Sequence, residues 1–178
     1  AKIAEKTEQD IWSGSAGAGS FDGIVTLLAA DAALPAGQEI TATTVDATNV
    51  ITELGKVVDA IPSSLYGNEE LYVYVSQNVF RAYKRALGGF AANGQGANGV
   101  NAQGANQDID IQYFDGVKVV IANGMDDNTM VAAEKSNLFF GTGLLSDHNE
   151  VKVLDMADLD GSKNVRFVMR YTAAVQYS

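Results

Sequence analysis

The sequence predicts an α+β fold in which a mixed sheet is flanked by helices and a long β-strand ends the chain. Residues 46–61 place apolar side chains at helical spacing and stop at Pro62, which predicts an amphipathic helix. Residues 71–75 form a continuous apolar run, which predicts a strand covered on both faces. Residues 165–177 alternate between the two sides of an extended chain, which predicts one half-buried strand.

The final strand is predicted to be unusually long. At about 3.3 Å per residue, residues 165–177 would span on the order of 40 Å, roughly twice the common strand length. Such an element suits a protein that reaches across a surface better than it suits a small closed domain. The inward set is Val165, Phe167, Met169, Tyr171, Ala173, Val175 and Tyr177, and the outward set is Arg166, Arg170, Thr172 and Gln176.

Composition limits the classes of protein to consider. With 178 residues and 47% hydrophobic residues, the chain can bury the core of one ordinary domain or two small ones. The formal charge of −10 argues against binding to nucleic acid, since the phosphates would be repelled. The absence of cysteine excludes disulfides and thiolate metal sites. No apolar run approaches about 18 residues and no signal-peptide pattern is present, so we expect a soluble, unanchored chain.

The N-terminal region predicts a helix end followed by a linker. Ile3, Thr7 and Ile11 stand at four-residue spacing, and the pattern closes at Trp12, which predicts the end of a longer helix. Residues 13–20 are Gly, Ala and Ser only. A phosphate-binding loop is excluded there because no strand precedes the glycines and no lysine follows them.

A second helix is predicted after the 71–75 strand, with Ser76 as its cap and Gly88 at its end. Its outward face carries Arg81, Lys84 and Arg85, a basic spot on an acidic protein. Two interpretations stay open: the cations complement the dipole of their own helix, or they contact an acidic face of a neighbouring copy. The inward set is Val79, Phe80, Tyr83 and Leu87.

Residues 88–107 form a low-complexity loop that consists mainly of Gly, Ala, Asn and Gln and carries no charge. A loop of this length is either passively disordered or an interaction site, and both interpretations stay open. The candidate subunit contacts in it are Gly94, Gly96, Asn98, Asn101 and Gln103.

The remaining third predicts hairpins and short strands. Asp115-Gly116 between the alternating runs 109–113 and 117–121 predicts a hairpin with a two-residue turn. Residues 129–133 predict a short strand, and residues 134–140 predict a helical turn. Residues 151–154 predict a strand that turns at 158–161 into the final strand.

No pattern of chemistry-bearing residues supports an enzyme. Asp158, Asp160 and Gly161 resemble part of a calcium loop, but Met156 and Phe167 occupy the positions that require carboxylates. The single histidine, His148, has neither a cysteine nor a second histidine to complete a metal set or a triad. We therefore predict no catalytic residue, no metal and no cofactor.

A family resemblance rests on the order of short motifs along nearly the whole chain. The motifs are Trp12-Ser13-Gly14, Phe21-Asp22-Gly23-Ile24, the Tyr113 to Val120 run, Asn137-Leu138-Phe139-Phe140-Gly141-Thr142 and Val165-Arg166-Phe167 leading into Tyr171 to Tyr177. In this order they resemble the major capsid protein of tailed bacteriophages and prophages.

The resemblance implies the Hong-Kong-ninety-seven-type shell fold. Residues 21–128 would form the axial domain, and residues 1–20 and 129–178 would belong to the peripheral domain. The uncharged 88–107 loop would lie at a symmetry axis, where like charges on several copies would repel. Arg166 and Arg170 would belong to a ribbon at the edge of the capsomer. The family's upstream arm, extended loop and most of its spine helix would precede Ala1, and no motif supports its covalent cross-link.

The expected function is therefore structural. The resemblance implies a subunit that assembles with copies of itself into pentamers and hexamers of an icosahedral shell, alongside portal or scaffold proteins. The shell would enclose DNA without binding it specifically, in the virion and, during assembly, in the bacterial host cytoplasm; no membrane contact is expected. Two alternatives stay open: a protein-shell compartment of the encapsulin type, and a β-rich surface binding module.

Overall fold

The computed structural model describes residues 2–18, 20–41, 43–88, 111–143, 151–157, 161–169 and 172–178. Its helices and strands confirm an α+β chain. The helices are α1 (Lys2–Ser13), α2 (Ile24–Ala30), α3 (Val50–Asp59) and α4 (Gln77–Gly88), with 3-10 turns at Ala16–Ala18 and Lys135–Asn137. The strands are β1 (Leu71–Val75), β2 (Ile111–Phe114), β3 (Val117–Ile121), β4 (Met130–Glu134), β5 (Leu138–Thr142), β6 (Val151–Asp155), β7 (Val165–Met169) and β8 (Ala173–Tyr177).

The central sheet is mixed, as predicted. Its strand order is β2-β3-β1-β4. β1 runs parallel to β3, whereas β3 pairs antiparallel with β2 and β1 pairs antiparallel with β4. Because β1 has a neighbour on each side and α4 follows it directly, the apolar 71–75 run lies at the centre of the fold.

One core cluster joins α3 and α4 to one face of this sheet. Leu54 of α3, Val73 of β1 and Val79 of α4 are each fully buried in it. The predicted inward faces of both helices are largely confirmed, because the apolar stripe of each helix meets the sheet. Two apolar residues of the predicted 46–61 helix are exceptions. Ala47 precedes α3 and is exposed. Ile51 is 49% exposed, since it lies at the side of α3 that turns away from the sheet.

A second cluster covers the opposite face of the sheet. Trp12 of α1, Ile24 of α2 and Val175 of β8 are buried together, and Tyr74 packs against them. The rings of Trp12 and Tyr74 lie 5.1 Å apart, centroid to centroid. Successive residues of a strand point to opposite faces, so Val73 and Tyr74 place the two clusters on the two sides of the sheet.

The predicted hairpin is confirmed. β2 and β3 pair antiparallel with Phe114 opposite Val117. The two turn residues have positive φ values, 46° for Asp115 and 79° for Gly116. A two-residue turn with positive φ at both positions matches the right-handed twist of the strands, and Asp-Gly tolerates it.

The prediction of one long final strand is wrong. The structure has two strands of five residues, β7 and β8, which pair with different partners: β7 with β6 and β8 with β5. Between them, the carbonyl of Thr172 accepts a hydrogen bond from the N–H of Gly143 at 3.1 Å. Alternation is the same in one long strand and in two successive short ones, so the sequence pattern cannot reveal the change of partner.

The predicted half-burial holds for one of these two strands. In β8, Val175 is buried and Ala173 and Tyr177 are half-buried. In β7, by contrast, Val165 is 52% exposed and Phe167 is 71% exposed. The apolar face of β7 is therefore uncovered by the described residues, although its sequence pattern is that of a half-buried strand.

The predicted helical turn at 134–140 is also corrected. Only Lys135–Asn137 form a 3-10 turn, and residues 138–142 form β5. β5 pairs antiparallel with β8, with Leu138 opposite Tyr177. Its conformation depends on a distant partner segment, which a local sequence pattern does not contain.

Candidate functional site

The strands β6 and β7 form a two-stranded antiparallel ribbon with an apolar face. Val153 lies opposite Phe167, and Asp155 lies opposite Val165. Since cross-strand partners point to the same side, Val153, Val165 and Phe167 share one face, which we call the ribbon face. Their exposed fractions are 59%, 52% and 71%.

The exposure of the ribbon face is unusual for side chains of this size. Within the described residues, β6 and β7 pair only with each other. A two-stranded ribbon is marginally stable in water unless another surface packs on it. Contiguous exposed apolar side chains are typical of surfaces that bind other proteins. Among the residues that the structure describes, the ribbon face is therefore the strongest candidate interaction surface.

The reverse side of the ribbon combines an apolar residue and a cation. Leu154 lies opposite Arg166 in the β6–β7 register. Leu154 is 41% exposed, and Arg166 is exposed as well. The structure thus places the predicted contact residue Arg166 on the ribbon, where its charge borders an apolar surface.

Two exposed aromatic residues lie on β5, which precedes the ribbon in the chain. Phe139 is 51% exposed and Phe140 is 47% exposed. Neither was predicted as a surface residue, because the sequence pattern indicated a helical turn at 134–140. Phe140 lies opposite Val175 in the β5–β8 pair, so only the pairing shows which of the two aromatic rings lies on the same side as the buried Val175.

A hydrogen bond between side chains anchors the strand that follows the ribbon. The hydroxyl of Tyr177 on β8 donates to Oδ2 of Asp31, just after α2, at 2.6 Å. The N–H of Ala33 donates to the other oxygen of Asp31 at 2.8 Å. The Tyr177 bond, followed by the Ala33 bond, holds the pKa of Asp31 below its usual value. The same bond to Asp31, with some burial, raises the pKa of Tyr177.

Replacing Tyr177 with Phe is expected to lower the Tm at pH 7 by about 2 °C, a small effect because the pair is partly exposed to solvent. A lowered carboxyl pKa contributes stability above about pH 4 that is lost as the pH falls through the folded value. A raised tyrosine pKa contributes stability below about pH 10 that is lost as the pH rises through the folded value. Tyr177→Phe should therefore flatten the dependence of Tm on pH at both ends, measured by calorimetry from about pH 3 to about pH 11.

The matched control for this measurement is Tyr66→Phe. The hydroxyl of Tyr66 donates to the backbone carbonyl of Asp115 at 2.7 Å. A carbonyl does not titrate, so this variant should lower the Tm while leaving the acid limb of the profile as it is in the wild type. An acid limb that is identical in Tyr177→Phe and in the wild type would contradict the prediction.

The three predicted cations of α4 lie together. Arg81, Lys84 and Arg85 are spaced three and four residues apart, which puts them on one side of the helix. Arg81 and Arg85 are exposed, whereas Lys84 is half-buried, with its Nζ 5.8 Å from the centroid of the Phe80 ring. Lys84 thus contacts an aromatic ring of its own helix, and the two arginines are the outward part of the basic spot.

The other predicted contacts lie outside the described residues. These are the loop residues Gly94, Gly96, Asn98, Asn101 and Gln103, together with Arg170 and the rejected ligand His148. Among the residues that the structure does describe, no group of three or more His, Cys, Asp and Glu side chains could hold a metal ion. None of the helices in that part of the chain has the length and apolar character that crossing a membrane requires.

No model of a known protein family matches the chain. No curated protein is similar to it in sequence.

Proposed function

We propose that the chain is a structural subunit of an icosahedral bacteriophage or prophage capsid with the Hong-Kong-ninety-seven-type fold. In this proposal the strands β1, β2 and β3 belong to the axial domain, together with α3 and α4. The strands β4 to β8 belong to the peripheral domain. The observation that carries the proposal is the ribbon face, an apolar surface that the described residues leave uncovered within one copy. The order of motifs along the chain supports the same proposal.

A repeated contact between copies accounts for the uncovered ribbon face. Fully burying one Val or Phe side chain contributes about 1.5–3 kcal/mol. Bringing two free proteins together costs about 4–15 kcal/mol of lost freedom. The three apolar side chains of one ribbon face are only 52–71% exposed in the single copy, so burying them offsets part of that cost and an isolated pair is weak. In a closed ring every copy makes two such contacts, so assembly becomes favourable where an isolated pair is weak.

The basic spot on α4 supports the same arrangement of copies. The chain carries a net charge of −10, so acidic side chains outnumber basic ones on its surface. The exposed Arg81 and Arg85 stand out against that background. An acidic face on the next copy would be attracted to them, and such complementarity sets the orientation of a contact more than its strength.

Replacing Phe167 with Ser is expected to reduce assembly of the full-length gene product, expressed alone, by at least about tenfold. The substitution removes the most exposed side chain of the ribbon face, and about 1.5–3 kcal/mol per contact corresponds to about 10–150-fold in association. Electron microscopy and sedimentation velocity measure the fraction of protein in rings or shells.

Tyr113→Ser is the matched control, because Tyr113 is 61% exposed on β2 and lies outside the ribbon. It should assemble like the wild type, and Phe167→Leu should restore the assembly that Phe167→Ser loses. If the wild type formed neither rings nor shells, the proposed function would be wrong. If Phe167→Ser assembled as well as the wild type, the ribbon face would not be part of the contact between copies.

A further inference from the structure

The strand β4 forms one edge of the central sheet and carries backbone groups that point away from it. In the part of the chain that the structure describes, β4 pairs with β1 alone. The N–H of Ser76 donates to the carbonyl of Thr129 at 3.0 Å, so these two residues form a hydrogen-bonded pair of the antiparallel ladder. The next pair, Val75 with Met130, is therefore a non-hydrogen-bonded one. Because bonded and non-bonded pairs alternate along the ladder, the N–H and C=O groups of Met130 and Ala132 point to the outer side.

A groove follows this outer edge. It is a cavity of about 480 Å³, lined by β4 residues 130–133, by Glu53 and Val57 of α3, and by Val25 and Leu28 of α2. Leu34 and residues 38–40, from the segment between α2 and α3, line it as well. The helix α3 packs on one face of the sheet and α2 on the other. The edge of β4 is therefore the floor of a mostly apolar groove with one helix on each side.

A buried carboxylate on the α3 side lacks a hydrogen-bond donor. Glu53 is 4% exposed. Its Oε1 accepts hydrogen bonds from Nζ of Lys56 at 2.9 Å and from Oγ1 of Thr43 at 3.2 Å. Among the described residues, Oε2 has no hydrogen-bond partner, although a buried acceptor without a donor is unfavourable. The Lys56 bond holds the pKa of Glu53 below its usual value, so at neutral pH the carboxylate only accepts hydrogen bonds.

We propose that this groove binds an extended peptide segment of a partner protein, which adds a strand to β4 and donates a side-chain hydrogen bond to Glu53. Outward N–H and C=O groups on a sheet edge can hydrogen-bond to the backbone of another extended chain. Successive side chains of that chain would then point alternately toward α3 and toward α2. Lys56 already balances the charge of Glu53, so the donor is a hydroxyl or carboxamide, not a second cation. Peptide binding at this edge does not depend on the proposed capsid function.

The test is a selection of random decapeptides, made by messenger-RNA display, against the 178-residue chain. We expect enriched peptides with apolar residues at alternate positions and Ser, Thr, Asn or Gln at one α3-facing position. Binding of an enriched peptide should slow the amide hydrogen exchange of Met130 and Ala132 at least about tenfold, measured by NMR. The same peptide with that donor replaced by an apolar isostere, such as Thr by Val, should bind about tenfold more weakly.

Two variants locate the contact. Ala132→Pro removes an outward N–H without removing a β1–β4 hydrogen bond, so it should weaken peptide binding at least about tenfold. Selection against Glu53→Gln should admit Asp and Glu at the donor position, because a carboxamide can donate as well as accept.

Three results, all measured on the wild-type chain, would overturn the proposal. The first is a selection that enriches no decapeptide above the level found with an unrelated protein. The second is a set of enriched peptides that leaves the exchange of Met130 and Ala132 unchanged. The third is slow exchange of both amides in the chain without peptide. If the exchange slows only as the protein concentration rises, a second copy of the chain occupies the groove. If it is slow at all concentrations, residues of the chain itself cover the edge of β4.

Discussion

Replacing Leu54 with Ala is expected to lower the free energy of unfolding by about 2–5 kcal/mol, the loss that follows truncation of a fully buried leucine. Leu54 is fully buried in the cluster that joins α3 and α4 to the central sheet. Removing its side chain beyond Cβ loses the transfer free energy of those atoms and leaves a cavity, since both helices and the sheet are held by their other contacts. The loss is a large share of the roughly 5–15 kcal/mol that stabilises an ordinary domain. Urea denaturation followed by far-ultraviolet circular dichroism measures it.

Ile51→Ala is the matched control on the same helix. Ile51 is 49% exposed, so its truncation removes about as many atoms but opens no cavity. We expect a change of no more than about 1 kcal/mol, because alanine also has a better helix propensity than isoleucine. Equal losses for the two variants would mean that α3 does not present Leu54 to the core.

Replacing Gly124 with Ala is expected to lower the free energy of unfolding by about 3 kcal/mol. A Cβ atom at Gly124 would overlap the carbonyl group of Glu8 and lie 2.6 Å from the N atom of Gln9. These atoms of Glu8 and Gln9 belong to the backbone of α1, so the whole helix has to move to make room. The expected cost therefore lies at the upper end of the range for overpacked cores. The displacement would uncover Trp12, the single tryptophan, which is 9% exposed. A red shift of its fluorescence under native conditions therefore accompanies the loss of stability.

Gly37→Ala is the control for this substitution. A Cβ atom at Gly37 would meet nothing within 4 Å, and the residue does not need a positive φ. The variant should unfold within about 0.5 kcal/mol of the wild type and leave the emission of Trp12 unchanged. If Gly124→Ala behaved in the same way, the close approach of α1 to the 122–125 turn would be refuted.

The burial of Glu53 shows what a sequence pattern misses on an otherwise well predicted helix. The spacing of Val50, Leu54 and Val58 predicts the inward stripe of α3, and all three are buried. Glu53 is buried too: it is 4% exposed, and Lys56 and Thr43 hydrogen-bond to its carboxylate. A charged residue between apolar positions is normally assigned to the outer face, so nothing in the local sequence predicts this acceptor.

The ribbon face could be predicted only in part. The alternation of Val165 and Phe167 identified the residues that share a side, and that assignment agrees with the β6–β7 register. The same alternation predicted that this side would be covered, whereas both residues are more than half exposed. Apolar alternation indicates that a face is to be buried, but it does not say whether the covering surface belongs to the same chain.

The amino-acid sequence by itself determined the type of most elements, the inward stripes of α3 and α4, and the Asp115-Gly116 turn. Each of these depends on residues within a few positions of one another, through helical spacing, strand alternation or the φ values that a turn requires. Only the tertiary structure decided that β1 lies beside β3 and β4, that the C-terminal run divides between β6 and β5, and that the described residues leave the edge of β4 open. Those features depend on pairing between distant segments, and the free energy of a strand pair belongs to both partners together.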